Sequence, residues 1–532
     1  EGEGENPVPD FEKKTGGTGS NVSTGQHYYD DEDGARESIT EHNAHNNEEL
    51  FQSDANVVRI TKDISPAYKD GKLDIIVPAE KVAEGFTDWI NGEAKQYRKA
   101  DLIERMANFT AKKILDKNKT LIQHMAKEFE MKQNAMRSVK AFQGKTGKLD
   151  MNSIAKYQVM DDIFKRVTYI PDGKNHGVIV LLDWSGSIAS SVGNLLEQSL
   201  ILAEFCKKVN IPFKVLLFSD QYRLTAEDDG WRSRQTALLE LFRNNVKRPT
   251  QKTLYTVFGA MYNAYFGYNV SWRKRDELIR EWFPAEESFD VYDMYNLDIP
   301  ASYQLGGTPL NESLLAMRKI LPEFKAKYQL EKTILTVITD GFSHNSPWLR
   351  EDYNDDIKDQ LQEGEESYNV RKDTFFQDPY SKKVYPFNIS QNRYNRYSSD
   401  QSWTQTCNLL DWLQQETGII VTGYFALNAK RDFYSILNAC PEVSQWIRDT
   451  HGFDDGYRKT WGAIRKEGLV MKTHGYGKLF ITASSNLATV DDELSDDLIG
   501  AKKATLLSNF KKNQSSKVGS RFLTNEFIKE IA

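Results

Sequence analysis

Cysteine is scarce in this sequence. Only three occur among 532 residues, at positions 206, 407 and 440, and no CxxC pair is present. Thiols so far apart, each within an apolar or helical run, exclude a disulfide-rich scaffold and a cysteine-based zinc site. We therefore predict three buried, free thiols in a reducing compartment.

Long apolar runs and a strong charge imbalance are also missing. No stretch of 18 consecutive apolar residues occurs, and the first residues lack the basic and apolar pattern of a signal peptide. The formal net charge is only -7, which gives no basic field for coating nucleic acid. We expect a cytoplasmic chain whose partners are neither membrane nor nucleic acid.

Signatures of intrinsic catalysis are absent too. Gly144, Lys145 and Thr146 suggest a phosphate loop, but Val139 stands where a Walker A motif needs its first glycine. The eight histidines form no HExxH motif. Ser185 is no nucleophile elbow, because Asp183 occupies the position that requires glycine. We predict no catalytic residue, so any ATP hydrolysis would come from a partner.

The N-terminal region divides into two parts of different composition. Residues 1–50 carry 13 Asp or Glu against 3 Lys or Arg and few large apolar side chains, which predicts a disordered acidic arm. Residues 51–170 contain short extended segments at 57–60 and 73–77. Between 95 and 142, apolar residues recur every three or four positions, which predicts two amphipathic helices joined near 116–119.

Residues 171–490 alternate between strand and helix patterns. Apolar runs rich in β-branched residues predict buried strands at 177–182, 213–218, 333–338, 419–425 and 479–482. Helical patterns lie between several of them, at 195–209, 310–325, 403–417 and 429–448. This alternation predicts an α/β fold with a doubly wound, mostly parallel sheet.

Two ranges within 171–490 exceed the length of ordinary connections. They lie at about 221–300 and 342–402, and we predict insertions on the rim of the sheet, with a hairpin at 375–386 in the second. Residues 491–532 begin acidic and end basic, and we predict a helical C-terminal tail.

Three separate motifs carry oxygen-bearing side chains to predicted loops. The run DWSGS places Asp183, Ser185 and Ser187 directly after the first strand of the α/β region. The run GGTP delivers Thr308 before a helix, and TDG places Asp340 at the end of another strand. Because ligands collect at the carboxyl ends of parallel strands, these residues are candidate ligands of a hard cation such as magnesium. Each motif alone is also typical of a helix cap or a turn.

Together, DxSxS, the GGTP threonine and TDG resemble the metal-ion-dependent adhesion site (MIDAS) of von Willebrand factor A (VWA) domains. The resemblance implies that Ser185, Ser187 and Thr308 coordinate Mg²⁺ through their hydroxyls. It also implies that Asp183 and Asp340 act directly or through water, with Mn²⁺ or Ca²⁺ as alternative ions. A sixth position would stay open for an acidic residue of a target protein.

Within that family, the run IVLLDWSGS at 179–187, the GGTP turn and the acidic arm are similar to the CobT-type subunit of cobaltochelatase. The stretches at 147–150, 162–165 and 171–176 resemble versions encoded by large tailed bacteriophages. The resemblance implies an adaptor that works with a MoxR-type or CobS-type AAA+ ATPase on a target complex, in the host cytoplasm if phage-encoded. A subunit of a cobalt or magnesium chelatase and a virion or assembly protein are the alternatives.

Overall fold

The computed structural model describes residues 75–95, 99–140, 175–223, 234–268, 271–283, 297–344, 374–386, 399–451 and 456–483. It also describes the backbone of five short strands elsewhere. The chain divides into two units, Glu1–Asn56 and Val57–Ala532. In the first unit, the described residues form a small antiparallel pair of strands. The acidic arm otherwise lies outside the described residues, as does the predicted tail at 491–532.

The described elements comprise 15 strands and 10 α-helices. The strands are β1 (Tyr28–Asp30), β2 (Arg36–Ser38), β3 (Asn56–Arg59), β4 (Ile76–Val77), β5 (Phe142–Leu149), β6 (Phe164–Tyr169), β7 (His176–Asp183), β8 (Phe213–Arg223), β9 (Arg234–Arg243), β10 (Lys332–Thr339), β11 (Thr374–Gln377), β12 (Val384–Pro386), β13 (Ile420–Leu427), β14 (Leu469–Thr473) and β15 (Tyr476–Ala483). The α-helices are α1 (Ala79–Trp89), α2 (Ala100–Lys140), α3 (Val192–Lys208), α4 (Arg248–Ala264), α5 (Trp272–Trp282), α6 (Leu310–Tyr328), α7 (Ser399–Thr417), α8 (Lys430–Ala439), α9 (Pro441–His451) and α10 (Gly456–Glu467). A 3-10 helix, Gly186–Ser190, follows β7, and another, Ala301–Tyr303, precedes α6.

One eight-stranded sheet organises the second unit. Its strand order is β14-β15-β13-β10-β7-β8-β9-β4. The central strands β15, β13, β10, β7 and β8 run parallel, while β9 is antiparallel to β8 and β14 is antiparallel to β15. Helices connect the parallel strands, so the predicted α/β fold with a mostly parallel sheet is confirmed.

Both faces of the sheet are buried. Along β7, Val178, Val180 and Leu182 belong to one apolar cluster with residues of α1 to α4. The alternate residues Ile179 and Leu181 belong to a second cluster with α6 to α10. A strand covered on both sides needs apolar residues at every position, which explains the continuous apolar run in the sequence.

Two predicted helix boundaries are wrong. The two helices expected between 95 and 142 are one helix, α2, of 41 residues. No proline or glycine interrupts it near 116–119, and Asn118 is accommodated by hydrogen bonds to the carbonyl of Ile114 at 2.9 Å and to Glu197 at 2.7 Å. The single helix expected at 429–448 is instead split into α8 and α9 before Pro441, whose nitrogen carries no hydrogen for the helical ladder.

The range 221–300, predicted as an insertion, contains β9, α4 and α5. β9 pairs with β8 in the main sheet, and α4 belongs to the core under that sheet. In the second range, β11 and β12 form the predicted antiparallel hairpin, with Phe376 opposite Tyr385. The rest of that range, between 345 and 398, lies outside the described residues apart from this hairpin.

The structure bears on the three cysteines and on the lack of long apolar runs. Cys206, Cys407 and Cys440 are buried and free, as expected. Among the described helices, none combines the length and apolar character needed to cross a membrane.

The Gly144-Lys145-Thr146 run is not a phosphate loop. Gly144 lies in strand β5, whereas a phosphate loop stands between a strand and a helix.

Candidate metal centre

The candidate site lies where the direction of the chain across the sheet reverses. From β7 the chain passes through α3 to β8 on one side, whereas β10 lies on the other side of β7 and leads on to β13. Asp183 is the last residue of β7, and Thr339 is the last residue of β10. In open α/β sheets the crevice at such a switch point is the usual place for a ligand.

The first and third predicted motifs are in direct contact. After β7 the chain turns at the buried Trp184, whose indole nitrogen donates to the carbonyl of Tyr303 at 2.8 Å. The hydroxyl oxygens of Ser185 and Ser187 are then 2.9 Å apart. Ser187 donates to Asp340 Oδ1 at 2.8 Å. The DxSxS and TDG loops therefore share one group of oxygens.

The GGTP loop meets the other two through its backbone. Gly186 donates to the carbonyl of Gly306 at 2.8 Å, and Gly306 donates to the carbonyl of Trp184 at 3.1 Å. On the other side, the carbonyl of Thr308 accepts hydrogen bonds from His344 N at 2.9 Å and Ser343 Oγ at 3.3 Å. Gly306 thus pairs with Ser185 as neighbouring strands do, two residues before Thr308. The carbonyl of Thr308 is held by the segment after Asp340.

Asp183 is a buried carboxylate with an unused oxygen. Its side chain is 1 % exposed, and Oδ2 accepts a hydrogen bond from Thr339 at 2.6 Å. Oδ1 has no hydrogen-bond partner. Burial, followed by the charge of Asp340, raises the pKa of Asp183 to about 7, although hydrogen bonds from Thr339 and Ser185 oppose the shift. A positive charge beside Asp183 would therefore stabilise its charged form.

Asp340 is held by hydrogen bonds on both oxygens. Oδ1 accepts from Ser187, and Oδ2 accepts from Asn428 Nδ2 at 3.1 Å. Burial raises the pKa of Asp340, and the nearby charge of Asp432 adds to the shift, while the hydrogen bonds from Ser187 and Asn428 oppose it. Two neighbouring carboxylates with raised pKa values repel each other, so an added cation would relieve both.

Asp220 and Asn428 lie outside the sequence motifs, and the contact made by Thr339, the threonine of TDG, was not predicted. Thr339 donates to Asp183, Asp220 accepts from Gly307 N at 2.6 Å, and Asn428 donates to Asp340. Asp220 follows the apolar part of β8, and Asn428 follows β13. Once the order of the strands in space is known, the rule that polar residues after buried parallel strands gather at one edge identifies both.

His344 stands beside the site rather than in the group of oxygens. Its Nε2 lies 3.4 Å from Glu312 Oε1. Burial lowers its pKa, but the hydrogen bond with Glu312 and the charges of Glu312, Asp220 and Asp183 outweigh burial, so its pKa is raised. His344 therefore lies in acidic surroundings.

The donor chemistry fits a hard cation. Hydroxyl and carboxylate oxygens are the ligands that Mg²⁺ and Ca²⁺ prefer, and Mg²⁺ commonly keeps several waters to complete six positions. In the described part of the chain, no cluster of three or more His, Cys, Asp or Glu side chains is placed to hold a metal. A cation here would therefore need the hydroxyls of Ser185, Ser187 and Thr308 beside the two aspartates.

Comparison with known proteins adds no assignment. No family model and no curated protein matches the chain. Among solved structures, the open conformation of the pilus adhesin SpaC from Lactobacillus rhamnosus GG is 11% identical over 50% of this chain and 27% of that chain, with a TM-score of 0.23. The N-terminal domains of the type V pili tip protein Mfa5 from Porphyromonas gingivalis are 8% identical over 47% of this chain and 42% of that chain, with a TM-score of 0.21.

The human COPII-coat protein Sec24c is also similar in part, at 10% identity over 50% of this chain and 28% of that chain, with a TM-score of 0.20. The chain thus spans less than half the length of each of these three proteins. TM-scores this low carry no argument about fold or function.

Proposed function

We propose that this chain is a VWA-type adaptor that binds Mg²⁺ at the carboxyl edge of its sheet and, through the metal, an acidic residue of a target protein. The observation that carries the proposal is Asp183 Oδ1, a buried carboxylate oxygen without a hydrogen-bond partner, beside the joined hydroxyls of Ser185 and Ser187. Asp183, Ser185, Ser187, Thr308 and Asp340 would hold the ion, with Mn²⁺ and Ca²⁺ as possible substitutes.

Electrostatics support a cation at this place. A buried carboxylate with one unsatisfied oxygen is costly, and here a second carboxylate lies close by. A divalent ion would offset the charges of both aspartates, and a coordination position that the protein does not fill would accept a carboxylate oxygen of the partner. Ser187 is exposed at the rim, so a ligand from another protein has access to the group of oxygens. Binding of this kind is reversed by chelation.

The proposed energy source is a MoxR-type AAA+ ATPase, because the sequence has no complete Walker A motif of its own. We place its docking surface on the outer face of α2, where Glu104, Lys112 and Lys119 are exposed. The proposed location is the cytoplasm, which would be that of the host for a phage-encoded chain.

A matched pair of serine variants tests the metal site. Ser187 and Ser190 are both exposed and lie on the same 3-10 helix, but only Ser187 contacts Asp340. We expect Ser187→Ala to weaken Mg²⁺ binding by about tenfold or more, as loss of a group supporting a metal site does. Ser190→Ala should bind Mg²⁺ like the wild type, as measured by isothermal titration calorimetry after EDTA treatment and dialysis.

Two results would contradict the proposal. One is a wild-type protein that shows no saturable Mg²⁺ binding, and the other is equal affinity in Ser187→Ala and Ser190→Ala. The partner is tested by purifying the tagged chain from native cells with and without EDTA. We expect the target to be lost with EDTA and an AAA+ ATPase to be present in the Mg²⁺ sample.

A further inference from the structure

The two glycines before Thr308 lie against a single carboxylate. Neither Gly306 nor Gly307 is among the residues with a positive φ, so the backbone at these positions accepts ordinary side chains. A Cβ at Gly306 would lie 2.2 Å from Asp220 Oδ1, and one at Gly307 would lie 2.5 Å from Asp220 Oδ2. The glycine pair is therefore explained by close approach to Asp220, and at Gly306 also to Gln221 Cγ at 2.6 Å, and not by backbone conformation.

Asp220 also bonds to this turn. Its Oδ1 accepts a hydrogen bond from Gly307 N at 2.6 Å. The Gln221 side chain donates to the same oxygen at 3.1 Å. Both oxygens of Asp220 thus face the turn, at the end of a strand adjacent to β7.

The segment after Asp340 also holds this turn. Thr308 follows Gly307 directly, and its carbonyl accepts hydrogen bonds from His344 N and Ser343 Oγ. The backbone is therefore held at Gly307 by Asp220 and at Thr308 by the segment after Asp340. A hydroxyl carried on a backbone held at both ends is preorganised for a ligand.

We propose that Asp220 is a positioning residue for the cation site: it fixes the Gly306–Gly307 turn and thereby sets the place of the Thr308 hydroxyl. This inference rests on the proposed function, in which that hydroxyl coordinates Mg²⁺. Asp220 acts through its hydrogen bond to Gly307 and through its shape, and does not itself bind the ion.

Two substitutions separate these roles. Asp220→Asn keeps an oxygen that accepts the Gly307 hydrogen bond but removes the charge, whereas Asp220→Ala removes both. We expect Asp220→Ala to weaken Mg²⁺ affinity about 10-fold to 100-fold, the range known for groups that orient metal ligands. Asp220→Asn should stay within a few-fold of the wild type. A loss in Asp220→Asn equal to that in Asp220→Ala would show that the charge acts directly and would overturn the proposal.

The ratio of Mg²⁺ affinity to Ca²⁺ affinity separates a positioning role from general destabilisation, which would weaken the binding of both ions alike. Mg²⁺ demands near-ideal octahedral geometry, whereas Ca²⁺ tolerates flexible sites. Loosening the turn by Asp220→Ala should therefore weaken Mg²⁺ binding more than Ca²⁺ binding in parallel calorimetric titrations. Equal losses for both ions would count against a positioning role.

The glycine contact supplies an independent test. In the wild type, Gly307→Ala should weaken Mg²⁺ binding, because the new methyl group meets Asp220. In an Asp220→Ala background the contact with Asp220 is gone and His344 Nδ1 remains 3.3 Å from the added Cβ, so adding Gly307→Ala should weaken affinity less than it does in the wild type. Losses that multiply in full in the double variant would overturn the inference. If Asp220→Ala does not fold, a Gly307→Ala variant that binds Mg²⁺ as tightly as the wild type, or an Asp220→Asn variant that loses about tenfold in affinity, would overturn it instead. Absence of Mg²⁺ binding in the wild type would instead remove the proposed function and this inference together.

Discussion

At the scale of single residues, Arg318 joins three elements through two carboxylates. Its guanidinium donates to Asp378 at 2.7 and 3.2 Å and to Glu416 at 2.9 Å. Asp378 also accepts hydrogen bonds from the amides of Tyr380 and Ser381 and from the indole of Trp412. This cluster attaches the β11–β12 hairpin to α6 and α7.

Removing Asp378 should destabilise the protein strongly. The side chain is fully buried, and its loss leaves Arg318, whose side chain is only 10% exposed, without its bidentate partner. Breaking a buried ion pair in this way costs about 3–5 kcal/mol. Urea unfolding should show this loss for Asp378→Ala and nearly none for Lys383→Ala, because Lys383 pairs with Glu416 through a side chain that is 69% exposed.

The stability from this cluster should also depend on pH. Burial raises the pKa of Asp378, but hydrogen bonds from Arg318 and from the amides of Ser381 and Tyr380 outweigh burial and hold it below its usual range. An unfolded aspartate titrates near ~3.9, so this contribution is present above that pH and is lost as pH falls through the lower folded value. The difference between wild type and Asp378→Ala should shrink from pH 7 toward pH 3, and a constant difference would contradict the assignment.

The five candidate ligands could be predicted from the sequence because each stands in a motif with fixed spacing. Asp220 and Asn428 were not, since one polar residue after a strand is equally typical of a turn. Only the order of strands in space shows that β8, β7, β10 and β13 end side by side. Their roles as ligands and supports stay predictions until metal binding is measured.

At the scale of elements, α2 and α4 pack with almost no space between their backbones. A Cβ on Gly259 in α4 would lie 2.0 Å from the carbonyl oxygen of Ala107 in α2. Hydrogen bonds flank this contact, from Thr110 to Asn263 at 2.7 Å and from Thr256 to Asn108 at 2.8 Å. The glycine sets how closely the long N-terminal helix approaches the sheet layer.

Substituting two of the helical glycines, Gly259 and Gly462, should have opposite effects. Gly259→Ala forces two backbones apart, and overpacking of this kind costs about 1–3 kcal/mol or more. Gly462 in α10 has open space around its Cα, so Gly462→Ala should stabilise by about 0.5–1 kcal/mol through reduced chain entropy. Equilibrium urea unfolding measures both, and equal signs for the two variants would refute this packing argument.

Element types were predictable where apolar periodicity was strong, but their ends were not. Residues 116–119 resemble a helix junction because four polar residues occur together, yet Asn118 finds buried partners in the fold. Conversely, the apolar pattern continues through Pro441, although the helix breaks there. The helix continues through Asn118 because Glu197, which is distant in sequence, bonds to its side chain. The helix ends before Pro441 because proline has no backbone N–H to donate.

At the scale of the whole molecule, the N-terminal helices and the sheet share one core. Val82 and Phe86 of α1 and Ile114 of α2 belong to the same cluster as Val180 of β7 and Val215 of β8. Sequence composition separated residues 51–170 from residues 171–490, because helix and strand periodicities differ. Periodicity identifies the apolar face of each helix but not the surface that covers it.

A shared core predicts one cooperative unfolding unit. Ile114 is 0% exposed, so Ile114→Ala should lower the free energy of unfolding by about 2–5 kcal/mol. Hydrogen exchange should show equal loss of protection for the amides of α2 and of β7. Lys112→Ala, at an exposed position of the same helix, should stay within about 0.5 kcal/mol of the wild type. Loss of protection confined to α2 would show that the helices unfold on their own.

The covering of both sheet faces limits how another protein can reach the central strands. Among the described residues, helices cover both faces of the sheet, and the chain is exposed at Gly186 and Ser187, just beyond the end of β7. A ligand that engages Ser187 and its neighbours must come in along the strand axis, head-on to the sheet. Under the proposed function, this approach would leave the face of α2 that exposes Glu104, Lys112 and Lys119 for the ATPase, so the target and the ATPase would bind to different surfaces.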